Sequence, residues 1–299
     1  MSDLIIEARS LVKHYGKVAA LDGLTLSVPR GAVYGFLGRN GAGKTTTIRI
    51  LAGLARPAAG SVSVLGLDPQ RDRLAVLSRT GFVIERALLS SMTGNDLIRF
   101  NRAFFRAWSD GVAKKYAEVL EVPLRRTFRK LSHGNKTKLC LLLALAQGAE
   151  LLVLDEPTTG LDPLITDQLL RLLIEDFSGD GRTLLLSSHH LSEVEKIADW
   201  IGIVDRGRIL LQAQLDDVRS NYGRVRASGE RLPLQGGAII AVSESQGVNE
   251  YVVRSGREDF AAQLRSQGAA VLEAGPMNLS EIFLALVGKE NHDRVEMLA

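Results

Sequence analysis

The sequence predicts an α/β fold on a mainly parallel sheet, with an antiparallel edge sheet, an inserted helical subdomain and a small C-terminal α+β domain. Three observations carry this. Short β-branched or leucine-rich runs (Ala32–Leu37, Leu151–Leu154, Thr183–Ser187 and Ile201–Val204) alternate with longer helical patterns, as strands joined by crossover helices do. A glycine-rich stretch, Gly38–Thr45, lies directly between one of these strands and a helical run. Two acids, Asp155 and Glu156, stand at the end of another.

Taken in order, Leu4–Ser10 and Leu24–Val28 read as short strands separated by Gly16, Gly23 and Gly31 with no helix between them, so they are expected to pair antiparallel. From about Leu88 to Ala146 the strand signals vanish. Leu97, Ile98, Phe100, Phe104 and Phe105, then Val112, Tyr116, Val119 and Leu120, recur near helical spacing. Thr93 with Asp96 three residues on predicts a capping box for the first of these helices. A helix over Ser192–Trp200 is expected after Thr183–Ser188. Beyond Ser220 the stretch Arg224–Gly237 is polar and glycine-rich. Strands at Ala238–Val242, Tyr251–Arg254 and Ala269–Leu272, with helices at Glu258–Gln267 and Leu279–Val287, complete the appendage. The expected division is residues 1–220, with the helical subdomain at about 88–146, and an accessory α+β domain at 221–299.

The 299 residues, 45% of them hydrophobic, are enough for a core of ordinary size. A charged fraction of 24% and a net charge of +3 speak against a nucleic-acid-binding arm, and no nucleic-acid partner is expected. The opening Met1-Ser2-Asp3-Leu4 lacks a basic n-region. The longest apolar segment, Leu139–Leu154, is broken by Gln147, Gly148 and Glu150, short of the roughly 18 residues a membrane span needs. If membranes matter, another polypeptide is expected to cross them. The single cysteine, Cys140, cannot form an intramolecular disulfide and suits a reducing, cytosolic compartment; its apolar neighbours predict a buried filler.

Gly38-Arg39-Asn40-Gly41-Ala42-Gly43-Lys44-Thr45 fits G-x-x-x-x-G-K-[ST] after a strand and before the helical run that opens at Thr46, the context that pattern requires. Glycines let successive backbone N–H groups converge on a phosphate, and the helix N-terminus adds its partial positive charge. Lys44 supplies a cation to the β/γ oxygens, and the Thr45 hydroxyl is a ligand for Mg²⁺. Asp155 and Glu156, at the carboxyl end of a buried strand, are placed where ligands bind in open α/β sheets. Asp155 is expected to hold Mg²⁺ and Glu156 to act as general base on the attacking water.

The order of Gly38–Thr45, the helical insert, Leu131-Ser132-His133-Gly134-Asn135, Asp155-Glu156, Gly160-Leu161-Asp162-Pro163 and Ser187-Ser188-His189 resembles the ABC ATPase cassette over about residues 4–215. The resemblance implies ATP and Mg²⁺ as cofactors, a dimer of cassettes with ATP at the interface, and a separate transmembrane permease subunit, with the chain peripheral on the cytoplasmic side of the membrane. It implies that Tyr15 stacks on adenine. Ser132 and Gly134 would close over a nucleotide bound by the other subunit, Asp162 would link the two sites, and His189 would contact the γ-phosphate, with His190 a bystander. Glu85 stands where many relatives carry a glutamine that senses magnesium and the membrane partner. Asn278–Leu284 looks similar to the C-terminal extension of ABC-2 type export ATPases and tilts the expectation toward export.

The sequence departs from the family at His133 and Asn135, where glycine and glutamine are usual, and at Glu85. A histidine costs conformational energy if position 133 requires φ > 0, or clearance if it lies against the ligand. Asn135-Lys136-Thr137-Lys138 lacks the aspartate needed to read guanine, which disfavours a GTPase. Two rivals remain: a non-transport ABC ATPase acting as a mechanical switch, whose relatives usually carry two cassettes or a coiled-coil arm, and a cassette that binds ATP with weak turnover.

Overall fold

The computed structural model describes residues 3–84, 91–177, 181–229, 239–245 and 247–296. The chain divides into two units, Met1–Gln212 and Ala213–Ala299.

The first unit opens with β1 (Leu4–Tyr15) and β2 (Val18–Pro29), then β3 (Val33–Leu37), α1 (Lys44–Leu51), β4 (Ala59–Val64), α2 (Arg73–Arg79) and β5 (Thr80–Val83). Next come α3 (Gly94–Phe104), α4 (Asp110–Val119), α5 (His133–Ala146), β6 (Leu151–Asp155), α6 (Pro163–Phe177), β7 (Thr183–Ser188), α7 (Leu191–Ile197), β8 (Trp200–Asp205) and β9 (Arg208–Gln214). Among the described residues the main sheet runs β5-β6-β7-β3-β8-β9, with parallel pairing from β5 through β8. Every residue of β3, β6 and β7 is buried, so these strands read as continuous apolar runs rather than alternating ones. β7 lies between β3 and β6, which sets the carboxyl ends of all three side by side.

β1 pairs antiparallel with β2, as expected, but both strands are longer than predicted and the register slips between Ala8 and Leu11, next to Ser10 at φ 49. β4 adds a third strand, Ile6 facing Val64. Its small, polar sequence Ala59-Gly60-Ser61 hid it, since β-propensity measures fit to a packed surface. The helix expected at Ser192–Trp200 ends at Ile197 instead, because Trp200 is claimed by the sheet opposite Tyr34. The Asp199 carboxylate accepts from the Val33 N–H at 2.9 Å. The strand at Ile201–Val204 is followed by β9, not by a helix, through Arg206 and Gly207 at φ 46 and 76, the backbone of a two-residue hairpin turn.

The capping box forms: the Thr93 hydroxyl accepts from Asp96 N and the Asp96 carboxylate accepts from Thr93 N. Cys140 on α5 is half-buried rather than fully buried; burial still pushes its thiol up to about 11, which leaves it protonated and unreactive near neutrality.

The second unit contains α8 (Leu215–Asn221), β10 (Tyr222–Ser228), β11 (Ile239–Ser245), β12 (Val248–Arg254), α9 (Arg257–Ser266), β13 (Ala270–Pro276) and α10 (Leu279–Glu296). Its sheet order is β11-β12-β10-β13. β10 falls in the stretch read from sequence as merely polar. Val225 and Ala227 face a core with Tyr251, Val253, Ala261 and Leu264, while Arg224 and Arg226 pair with Glu273 on the other face. The two arginines masked a strand that alternates. No helix among the described residues is long and apolar enough to cross a membrane.

Candidate functional site

β3 delivers the chain at Leu37, and α1 starts at Lys44 with Gly43 as its N-cap at φ 111. Glycine is required there twice over: L side chains rarely adopt that φ, and a Cβ would lie 2.8 Å from the Ala20 carbonyl oxygen and 2.8 Å from Leu21 Cδ2. The end of the β1–β2 hairpin is therefore packed directly on the loop. Tyr15 closes that hairpin opposite Val18 and is 47% exposed. The Lys13 ammonium lies 5.3 Å from its ring centroid and donates to the Arg56 carbonyl at 2.8 Å, so one ring face is occupied by a cation.

Arg39, Asn40 and Gly41 are exposed, Ala42 is buried, and Thr45 and Thr46 are half-buried. Lys44 is buried and turned into the loop, donating to Gly38 O at 2.6 Å and Arg39 O at 3.3 Å, with its Nζ 3.1 Å from Glu156 Oε1. The ion pair lacks hydrogen-bond alignment: Glu156 Oε1 is buried and receives no hydrogen bond.

At the end of β6, Asp155 is buried. It accepts from the Ser187 hydroxyl at 2.7 Å and hydrogen-bonds the Thr45 side chain. Burial nevertheless raises its carboxyl above the ordinary value, outweighing those hydrogen bonds and the Lys44 charge, while Glu156 adds to the rise. Glu156 sits at φ 50, and its N–H is shared between Ser187 O at 3.2 Å and Ser187 Oγ at 3.1 Å. Its Oε2 lies 2.7 Å from His189 Nδ1. The His190 ring lies tilted against that of His189, centroids 3.9 Å apart and planes at 41°. The structure thus brings Gly38, Lys44, Thr45, Asp155, Glu156 and His189 into one site. Ser187, quoted from sequence only as a neighbour of His189, is the hydroxyl that joins both acids; its position at the end of a strand between the two site strands was the missing signal.

Ser132, Gly134 and Asp162 form a second group. Ser132 caps α5, its hydroxyl accepting from Asn135 N at 3.3 Å. His133 is the first residue of that helix and is not among the residues with φ > 0. The expected conformational cost of a histidine here therefore does not arise, because the right-handed helical region is open to an L residue with a Cβ. Gly134 does need to be glycine: a Cβ would stand 2.4 Å from the Gly160 carbonyl oxygen. Gly134→Ala is expected to push these two loops apart and to cost about 1–3 kcal/mol, read as a thermal midpoint lowered by several degrees in calorimetry. Asp162 caps α6, its Oδ1 accepting from Ile165 N at 3.0 Å ahead of Pro163 in the first turn. Asn135–Lys138 is helical, not a base-reading loop. Glu85 lies outside the described residues.

Among the described residues no three His, Cys, Asp or Glu side chains cluster as a metal cage. Mg²⁺ does not need one: it is held by one or two carboxylates, a hydroxyl, water and substrate phosphates. The Thr45 hydroxyl beside a buried, desolvated Asp155, with Glu156 Oε1 lacking a donor, fits that chemistry.

A glycine loop capped by a helix N-terminus, facing an acid-tipped strand across one intervening strand, makes this a nucleotide-binding protein of the P-loop α/β class. A family profile described as "ABC transporter" matches residues 21–159. The chain is 34% identical over 257 residues to the bacitracin transport ATP-binding protein BcrA of Bacillus licheniformis, covering 83% of this chain and 82% of that one. It is 32% identical to the Nod factor export ATP-binding protein I of Burkholderia orbicola (strain AU 1054), covering 98% of this chain and all of the relative, 100%. A solved ATP-binding subunit of an ABC transporter superposes with TM-score 0.65 at 27% identity, over 72% of this chain and 92% of that one. The chain belongs to the ABC transporter family, among its ATP-binding subunits.

Proposed function

We propose that this protein hydrolyses ATP at the Gly38–Thr46 loop and uses the cycle to drive export through a separate membrane-spanning partner. The observation that carries the chemistry is the convergence of Lys44, Glu156 and His189: the ammonium 3.1 Å from one carboxylate oxygen and the imidazole 2.7 Å from the other. Lys44 and the loop N–H groups bind the phosphates. Tyr15, with one face covered by Lys13, offers its other face to the base. Glu156 is positioned to take a proton from water, and His189, held through Nδ1, keeps Nε2 for the γ-phosphate side. Mg²⁺, held by Thr45 and Asp155, would neutralise charge developing on the phosphates. Ser132, Gly134 and Asp162 would act on a nucleotide held by a second cassette, and Glu85 would report on the membrane partner.

Export is supported by the full-length likeness to the Nod factor export subunit, which extends through the C-terminal unit. In this reading residues 1–220 are the motor, 221–299 an accessory domain, and the chain lies peripherally on the cytoplasmic face. ATPase rates measured for the purified chain alone and with the membrane protein that co-purifies from native membranes test this. Turnover stimulated by the partner is expected. No hydrolysis in either setting would sink the enzymatic reading, and the absence of any co-purifying membrane protein would sink the transport reading.

A further inference from the structure

We propose that Glu193 is a positioning residue for ATP hydrolysis, holding the Glu156 loop in place by accepting a hydrogen bond from Thr158. The inference rests on the reading of Glu156 and His189 as the hydrolytic pair.

Glu156 carries a left-handed backbone, φ 50, which is strained for a non-glycine residue and persists only where the surroundings over-determine it. Its own N–H is fixed by Ser187. Beyond it, Thr159 N donates to Glu156 O at 3.1 Å and Leu161 N to Thr158 O at 3.1 Å, bonds internal to the loop that cannot anchor it to anything else. The Thr158 hydroxyl supplies the outside anchor, donating to Glu193 Oε2 at 2.7 Å.

Thr158 is 5% exposed, so losing that acceptor would strand a buried hydroxyl. A bond from a hydroxyl to an ionised carboxylate is also among the stronger ones.

The placement of Glu193 matters as much as the bond. It lies on α7, four residues after His189, and His189 closes on Glu156 at 2.7 Å. Two contacts, Glu156 to His189 and Thr158 to Glu193, therefore tie the same two segments together at two points. A cavity of about 400 Å³ borders the pair, lined by Thr158, Gly160, His189 and Glu193 among others.

The test compares steady-state ATPase kinetics and thermal midpoints of the full chain with those of Glu193→Ala, Glu193→Gln, Thr158→Val and the Glu193→Ala/Thr158→Val double variant. Glu193→Ala and Thr158→Val are each expected to lower kcat about tenfold with KM for ATP within about twofold. Glu193→Gln, whose amide oxygen still accepts, should stay within about threefold of the parent, and the double variant should fall no further than either single one. Unchanged kcat in Thr158→Val, a change confined to KM, or multiplicative losses in the double variant would overturn the proposal. Should Glu193→Ala fail to fold, the nearly isosteric Thr158→Val and the conservative Glu193→Gln decide it alone. Glu156→Gln serves as control: if that variant still turned over, the reading of Glu156 would fail, separately from that of Glu193.

Discussion

Glu156→Gln is expected to reduce ATP turnover by roughly 10²–10⁴-fold, the range a general base contributes, while leaving ATP binding intact. The amide keeps the size of the side chain and one acceptor oxygen, so the strained loop at φ 50 and the contact with His189 need not move. What it loses is the ability to take a proton, and the negative charge beside Lys44. With the carboxylate gone, the Lys44 ammonium, 3.1 Å from Oε1, has one fewer anion to neutralise it and remains free for phosphate. ATP affinity should therefore equal or exceed that of the parent. Equilibrium binding of a fluorescent ATP analogue, set beside single-turnover hydrolysis, separates the two effects; weakened binding with unchanged turnover would refute the assignment.

Asp155→Asn is expected to cut magnesium-dependent turnover steeply and at the same time to stabilise the nucleotide-free protein at neutral pH. The carboxyl is held above its ordinary value, chiefly by burial, so the folded chain binds that proton more tightly than the unfolded chain. Stability linked to this group is fully present below the ordinary carboxylate range and is lost as pH rises through the folded value. At pH 7 the folded protein thus carries the whole penalty of a desolvated anion. Asparagine removes it at every pH. The thermal midpoint of the variant should exceed that of the parent at pH 7 by about 2–4 °C per kcal/mol recovered, and the gap should close toward acid pH. Turnover should fall by roughly 10²–10³-fold if Asp155 holds the cation as proposed, because several kcal/mol of charge stabilisation would then depend on it. A lower midpoint at pH 7 would show that the hydrogen bonds from Ser187 and Thr45 outweigh the burial.

These two residues were legible in the sequence because their signals are local. A buried strand that sits between two neighbours must be apolar along its length, so an acid pair at the end of Leu151–Leu154 stood out against it. A loop that wraps a phosphate must be glycine-rich, so Gly38–Gly43 declared itself between a strand and a helix. The capping box at Thr93 and Asp96 was equally readable, since both of its hydrogen bonds span three residues.

What stayed hidden depends on partners distant in the chain. β4 and β10 have sequences with little strand character and are strands because β1 and β12 supply the other half of each ladder. Trp200 left the predicted helix because Tyr34, far earlier in the chain, offers it a pairing partner. The position of His133 at the start of a helix, where it incurs no backbone strain, was set by the Ser132 cap and by the close approach of Gly134 to Gly160.

The sequence by itself determined the P-loop α/β class, the phosphate loop and the two acids, since steric and solvation demands at those positions select residue types within a few neighbours. Only the tertiary structure decided that Ser187 joins both acids, that Lys13 underlies Tyr15 and that Glu193 holds Thr158. Ser187 and Glu193 reach partners far away in the chain, and Lys13 is held over its near neighbour Tyr15 by its bond to Arg56, so no local propensity encodes these contacts.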